Sequence, residues 1–166
     1  MRIELVLASL VPLALVACDN PLRGCPGDDT TLALGTGSSG VMLLNDGDVA
    51  PIVRGGQGGY HVDVAARGGP LPFEVQISTT LTIPSAPDSP EVGVGQAQRA
   101  LANYDDDSCE GEFWGLRAVM IPQYSTPGAV CLMNGREGVI DVTVQTLDGD
   151  VLVEDTITVL LRHDAC

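Results

Sequence analysis

The chain has 166 residues with 22 acidic and 8 basic side chains, and its formal net charge is −14 at pH 7. All of the basic residues are arginines. A surface this acidic repels phosphate backbones and anionic lipid headgroups, so nucleic-acid binding and polybasic membrane docking are disfavoured. Cationic partners or divalent metals are electrostatically allowed, although solubility alone also accounts for the charge.

The N-terminal segment has the pattern of an export signal. Residues 5–16 are apolar apart from Ser9 and Pro12, a run too short for the roughly 20 residues of a membrane-spanning helix but suited to a signal-peptide core. The run ends in Leu15-Val16-Ala17-Cys18, which resembles the lipobox of bacterial lipoproteins. We therefore predict a signal peptide over residues 1–17 and a lipid-carrying Cys18 that anchors the mature chain to a bilayer. A buried N-terminal helix or strand is the alternative.

Lipidation of Cys18 would leave four of the five cysteines. In an oxidising compartment an even number predicts two disulfides, for which three connectivities exist. Residues 18–30 contain many turn-forming residues and no periodicity, which predicts a lipidated tether.

Residues 31–166 alternate with a period of two and predict one β domain. The predicted strands cover 31–34, 41–44, 49–54, an alternating segment from Tyr60, an alternating segment from Phe73, 113–122, and two C-terminal segments around Ile140 and Ile157. Asn45-Asp46-Gly47-Asp48 predicts a turn. Residues 84–91 predict a loop, and residues 96–103 fit either one helical turn or a polar edge strand.

Both alternating segments predict strands with one buried face. Tyr60, Val62 and Val64 share one face of the first, and Phe73, Val75 and Ile77 share one face of the second. About seven to nine strands separated by turns predict an all-β, antiparallel immunoglobulin-like β-sandwich with two disulfides. Transthyretin-like and jelly-roll sandwiches remain alternatives.

The C-terminal hairpin suggests the disulfide pairing. A turn centred between Asp148 and Gly149 places Ile140 opposite Ile157 and Val144 opposite Val153. The same register, continued outward, places Cys131 opposite Cys166. Directly opposed residues lie within the Cα separation that a disulfide accepts. We therefore predict Cys131–Cys166, which leaves Cys25–Cys109.

One segment resembles a known group of proteins. Gly55-Gly56-Gln57-Gly58-Gly59-Tyr60-His61-Val62 is similar to a Gly-Pro-Gln-Gly-Gly-aromatic-His-Val segment in uncharacterised lipoproteins of myxobacteria-like genomes. Gly56 stands where their proline usually lies. The resemblance implies an immunoglobulin-like sandwich on a lipid anchor, and it implies no activity.

The same segment is a candidate binding corner made of Gln57, Tyr60 and His61. Its glycines indicate positive φ angles or a close backbone approach. The alternative is a bulged strand entry in which Gln57 bonds to the backbone and Tyr60 packs inward.

Other candidate chemistry is limited. The Gly35–Gly40 segment matches a dinucleotide-binding pattern, but it precedes a predicted strand instead of a helix and is therefore predicted to be a loop. Asp105, Asp106 and Asp107 form a candidate Ca²⁺ loop, although a solvated acidic loop is the favoured interpretation, and no EF-hand fits because Arg117 occupies the twelfth position. Only two histidines are present, which argues against zinc. No serine has the setting of a nucleophile elbow.

These observations favour a non-catalytic, lipid-anchored interaction or structural module of the bacterial cell envelope, facing the periplasm or the cell surface. Its expected partners are the bilayer and an envelope protein or glycan, without a cofactor. A calcium-stabilised adhesion or carbohydrate-binding sandwich is the alternative. A hydrolase using His61 and Asp63 is a third hypothesis.

Overall fold

The computed structural model describes residues 29–85 and 90–166. The predicted signal peptide, Cys18, the tether up to residue 28 and part of the predicted loop 84–91 lie outside the described residues. No helix in the described ranges is both long enough and apolar enough to cross a membrane.

The described residues form ten strands, one short α-helix and a 3₁₀ turn. Their bounds are β1 (Thr31–Thr36), β2 (Met42–Leu43), β3 (Val49–Arg54), β4 (Tyr60–Gly69), β5 (Glu74–Thr82), β6 (Glu91–Ala100), β7 (Ala102–Asp105), β8 (Glu110–Met120), the 3₁₀ turn (Pro122–Tyr124), α1 (Pro127–Met133), β9 (Glu137–Gln145) and β10 (Val151–Arg162). The all-β prediction is confirmed. The strand number exceeds the expected seven to nine because the short strands β2 and β7 add to the longer ones.

Seven strands close into a ring. Their order is β4-β3-β10-β9-β5-β6-β8, and pairing between β8 and β4 completes the circle. Neighbouring strands are antiparallel except β3 and β10, which are parallel. Outside the ring, β1 pairs with the C-terminal half of β4, β2 pairs with β1, and β7 pairs with the start of β8.

Alternating apolar residues fill the interior of the ring. In β5 and β9 every second residue is buried, because successive side chains of a strand point to opposite faces. The fully buried large side chains are Leu71, Ile77, Leu81, Ile140, Leu161, Val62, Val64, Val75, Val92, Val130, Val142 and Val144. Each contributes about 1.5–3 kcal/mol relative to an exposed position.

The β9–β10 hairpin has the predicted register. Ile140 lies opposite Ile157, and Val144 lies opposite Val153. The ladder ends before the cysteines, since Cys131 lies in α1 and Cys166 follows β10. These two cysteines nevertheless form the predicted disulfide, with a Cα–Cα distance of 5.4 Å.

Strand β4 corrects the expectation of a single buried face. All residues from Tyr60 to Ala66 are buried, including His61, Asp63 and Ala65 on the outer face. The end of β1 and the loop after it lie against part of this face: the Thr36 hydroxyl donates to the Asp63 carbonyl over 2.7 Å, and Gly115 N–H donates to the Gly37 carbonyl over 2.8 Å. Burial on both faces follows from this tertiary cover, which the local pattern does not encode.

Three other segments differ from the sequence expectations. Phe73 precedes β5 and is 52% exposed instead of sharing the buried face of Val75 and Ile77. Residues 96–100 belong to strand β6, as in the second of the two alternatives. The helix α1 was not predicted; Thr126 caps it by accepting a hydrogen bond from Ala129 N–H.

The predicted turn at Asn45–Asp48 is present, with φ of 86° at Gly47. It does not join a hairpin, because β2 pairs with β1 whereas β3 pairs with β4 and β10. Instead the turn docks on β10: Gly47 N–H donates to the Thr158 carbonyl, and Thr158 N–H donates to the Asp46 carboxylate.

Candidate functional site

The outer face of β3, β4 and β8, with Val94 of the adjacent β6, carries a row of apolar side chains around a buried histidine. Cross-strand pairing aligns Val53 with His61, His61 with Val119, and Val119 with Val94. The three valines are 36–48% exposed, whereas His61 is only 6% exposed. The row is thus a solvent-facing apolar surface with a polar centre.

His61 belongs to a cluster of three ionisable groups on this face. Its Nε2 atom lies 3.4 Å from Asp63 Oδ1, and Arg117 Nε lies 3.8 Å from the same oxygen. Asp63 and Arg117 are directly opposed across β4 and β8. Asp63 Oδ1 is buried and has no hydrogen bond of good geometry among the described groups, so its contacts are electrostatic.

The pKa of His61 is lowered from its ordinary value near 6.5, chiefly because burial penalises the imidazolium. The Asp63 carboxylate opposes this change, and the Arg117 guanidinium reinforces it. Folding therefore favours the neutral imidazole.

The structure does not assemble the predicted corner of Gln57, Tyr60 and His61. Gln57 lies exposed at the tip of the loop between β3 and β4, which is closed by a hydrogen bond from Gly55 N–H to the Gly59 carbonyl. Tyr60 points into the core and His61 points outward, because adjacent residues of a strand face opposite sides. Tyr60 and His61 therefore lie on opposite faces of β4, and the binding corner itself stays a prediction.

Tyr60 has the inward position of the alternative interpretation. It is 4% exposed, and its ring meets the His163 ring edge-to-face with centroids 5.3 Å apart. Its N–H donates to the Ser125 hydroxyl. In the same loop, Gly58 has φ of 95°, the positive value that the glycine-rich segment led us to expect.

The Gly35–Gly40 segment forms the end of β1 and a loop, as predicted. Gly37 has φ of 144° there, and a Cβ atom at this position would lie 1.9 Å from the Gly40 carbonyl oxygen. The glycine pattern therefore serves a tight chain reversal.

The acidic loop after β7 is not arranged as a metal site. Asp105 Oδ1 accepts hydrogen bonds from the backbone N–H groups of Asp107 and Ser108, at 2.8 and 3.2 Å. Within residues 29–85 and 90–166, no three His, Cys, Asp or Glu side chains are grouped so as to hold a metal ion. The Asp105 carboxylate therefore caps a turn, and the Ca²⁺ candidate of Asp105, Asp106 and Asp107 stays a prediction.

Sequence reasoning missed a second polar cluster, on β4, β7 and β8. Glu112 is 7% exposed, accepts hydrogen bonds from the Arg67 guanidinium, and accepts another from Asn103 Nδ2 over 2.7 Å. The hydrogen bonds from Asn103 and Arg67 lower the pKa of Glu112. Arg67 and Glu112 are paired across the strands, and only knowledge of that long-range register could have identified them.

Of the two predicted disulfides, one lies wholly within the described residues and the other does not. Cys131–Cys166 is the one disulfide with both cysteines in the described part of the chain. Cys109 is also disulfide-bonded, but Cys25 lies outside the described residues, and the Cys25–Cys109 pairing stays a prediction. The same holds for lipidation of Cys18.

Comparisons with protein-family models and with curated proteins find no match. Among solved structures, this chain is similar to a structure of murine CRIg, with 14% sequence identity and a TM-score of 0.37. The alignment covers 82% of this chain and 98% of the CRIg chain. The TM-score is too low for this likeness to establish a shared fold.

Proposed function

We propose that this protein is a lipid-anchored, non-catalytic interaction module of the bacterial cell envelope, which binds an envelope partner through the outer face of β3, β4 and β8. The lipobox-like Leu15–Cys18 segment supports the anchor. The Cys131–Cys166 disulfide supports an oxidising compartment, since such bonds are rare where thiols are kept reduced.

We further propose that the ring is an immunoglobulin-like sandwich. The strand order supports this, since β1-β4-β8-β7 corresponds to the A-B-E-D sheet and β10-β9-β5-β6 corresponds to a G-F-C sheet extended by C′. The chain departs from antibody domains in one respect: β4 and β9, which correspond to strands B and F, carry no cysteine. The Cys131–Cys166 bond instead ties α1 to the segment after β10.

The observation that carries the proposed function is the exposed apolar row of Val53, Val94 and Val119. Contiguous apolar surface marks interaction sites more often than scattered exposed side chains do. The surface continues along β3 through Val49, beside which Leu160 of β10 is also exposed. Burying this apolar surface against a partner would favour binding, because apolar surface is transferred out of water.

The charges on this face differ from those of the whole chain. Arg117 is largely exposed, with 61% of its side chain accessible, whereas Asp63 is buried beneath it. Arg162, paired with Pro51, adds a second exposed arginine. A partner with acidic groups around an apolar centre would be complementary to this face.

A binding role fits the polar cluster better than hydrolysis does. His61 and Asp63 are 6% and 9% exposed, and the Nε2 atom of His61 faces the Asp63 carboxylate at 3.4 Å. A general base must reach the proton that it removes. The cluster is therefore assigned a structural role beneath the binding face.

Site-specific photocrosslinking in the native envelope tests this function. A benzophenone amino acid replaces Val119 in the full-length lipoprotein, and Val151 serves as the matched control because it is an equally apolar side chain with 55% exposure on the far part of β10. We expect a discrete adduct from position 119 that is absent from position 151. Identical adduct patterns, or no adduct from position 119, would contradict the proposed face.

A further inference from the structure

Strand β6 has an open edge. Its residues pair with β5 along nearly the whole strand, but on the other side only Gly93 and Val94 pair with β8. From Gly95 to Ala100 no strand of the described residues is paired with that side. Arg99 reaches across the opening and donates to the Gly115 carbonyl over 3.1 Å.

The backbone groups directed toward the open edge can be assigned by alternation. Leu101 N–H donates to the Phe73 carbonyl on the β5 side. Because successive residues direct their N–H and C=O groups to opposite sides, Gln96, Gln98 and Ala100 direct theirs toward the open edge. All three residues are exposed, so the edge presents a short template for another strand.

This edge lacks the charges that usually protect an exposed strand. Between Val92 and Ala100 the strand has no acidic residue and one basic residue, in a chain whose net charge is −14. The adjacent outward positions on β5 are Gln76 and Ser78, which pair with Gln98 and Gln96. This edge would therefore add little local repulsion between acidic groups to a contact between two copies of this protein.

Three other strand edges are protected. β2 has two residues, and β7 has four, of which the last is Asp105, followed by Asp106 and Asp107. The exposed part of β10 carries Glu154 and Asp155, and the Asp155 carboxylate accepts a hydrogen bond from Thr156 N–H. Acidic groups and short length are common means of preventing strand pairing.

We propose that β6 pairs antiparallel with β6 of a second copy of this chain, around a twofold axis at Gln98. Gln98 then lies opposite Gln98 of the second copy, and Gln96 lies opposite Ala100. The backbone bonds of three residue pairs join the two sheets, and the glutamine side chains of both copies lie side by side. The interface is self-complementary, as twofold symmetry requires.

Cysteine crosslinking of the full-length lipoprotein in its native envelope tests this pairing. Opposed residues of antiparallel strands have Cα atoms about 5.5 Å apart, within the range of a disulfide. We expect Gln98→Cys to give a disulfide-linked dimer on non-reducing gels. The matched control is Gln76→Cys, on the same face but one strand further from the axis. The Cα atoms of the two residues at position 76 would lie about 14 Å apart, so no disulfide-linked dimer is expected.

A second measurement does not depend on an added thiol. In sedimentation of the detergent-solubilised lipoprotein, we expect Gln98→Glu to weaken dimerisation at least tenfold, because two carboxylates meet at the axis. Gln76→Glu, with the same net charge, should leave it unchanged. A monomeric wild-type protein, equal effects of the two variants, or crosslinking of Gln98→Cys only to a different protein would overturn the proposal.

Discussion

A buried histidine makes folding stability depend on pH in a direction that can be worked out. The pKa of His61 is lowered in the folded chain, so between that value and about 6.5 the unfolded chain binds more protons. Stability contributed by neutral His61 is present above pH 6.5 and is lost as the pH falls from there through the folded pKa. The loss cannot exceed about 1.4 kcal/mol per pH unit for one proton.

The corresponding prediction is that His61→Gln flattens the pH dependence of unfolding between pH 7.5 and 5.5. Urea unfolding at a series of pH values measures it, with the wild-type protein giving the reference slope. A His61→Gln variant with an unchanged slope would show that another group is responsible.

At the residue scale, the sequence located His61 and Asp63 on one strand face but could not show their burial. Asp63 is bound there by Thr36, which approaches from a distant part of the chain, and the His61 ring lies beside Gly55 of the loop between β3 and β4. Glu112 was missed for the same reason, because its partners Arg67 and Asn103 are brought to it by strand pairing. Local alternation predicts which side of a strand a residue occupies, but not what covers that side.

At the element scale, the β9–β10 hairpin was predictable because its turn and its two alternating arms are local. The disulfide followed from the same register although the ladder ends earlier. The short helix α1, which holds Cys131, and the segment after β10, which holds Cys166, still bring the two Cα atoms to 5.4 Å. Only the intervening conformation was missed, since seven residues with a single capping threonine carry a weak helical signal.

The Cys131–Cys166 disulfide gives a prediction for the stability of the folded chain. Replacing both cysteines, Cys131→Ser with Cys166→Ser, should lower the free energy of unfolding by about 3–4 kcal/mol, because the bond closes a loop of 35 residues in the unfolded chain. Chemical denaturation measures the change. Reduction of the wild-type protein should cost at least as much, because it also breaks the bond of Cys109, and a loss below about 1 kcal/mol in the double variant would contradict this entropic account.

At the scale of the whole molecule, the all-β class was predictable from composition and periodicity, whereas ring closure was not. Closure depends on the pairing of β4 with β8 and of β3 with β10, which joins segments far apart in sequence. β4 is central to this closure, because it pairs with β8 along one edge and with β3 and β1 along the other. No local pattern specifies such pairings.

The proposed anchor gives a prediction for the intact chain. Metabolic labelling with an alkyne-tagged fatty acid should label the wild-type protein, and Cys18→Ser should abolish the label because no thiol remains at the lipobox position. Cys25→Ser is the matched control and should retain it. Persistent labelling of Cys18→Ser would place the lipid elsewhere and remove the anchor from the proposed function.

The parallel pairing of β3 with β10 has a consequence for the order of events in synthesis. Ala50 and Leu161 lie side by side although about a hundred residues separate them. Such a contact requires the intervening chain to close into a loop. Because synthesis proceeds from the N-terminus, the ring stays open until β10, the last strand, has been made. The export proposed above would benefit from this delay, because an unfolded chain passes through a translocation channel more readily than a closed ring does.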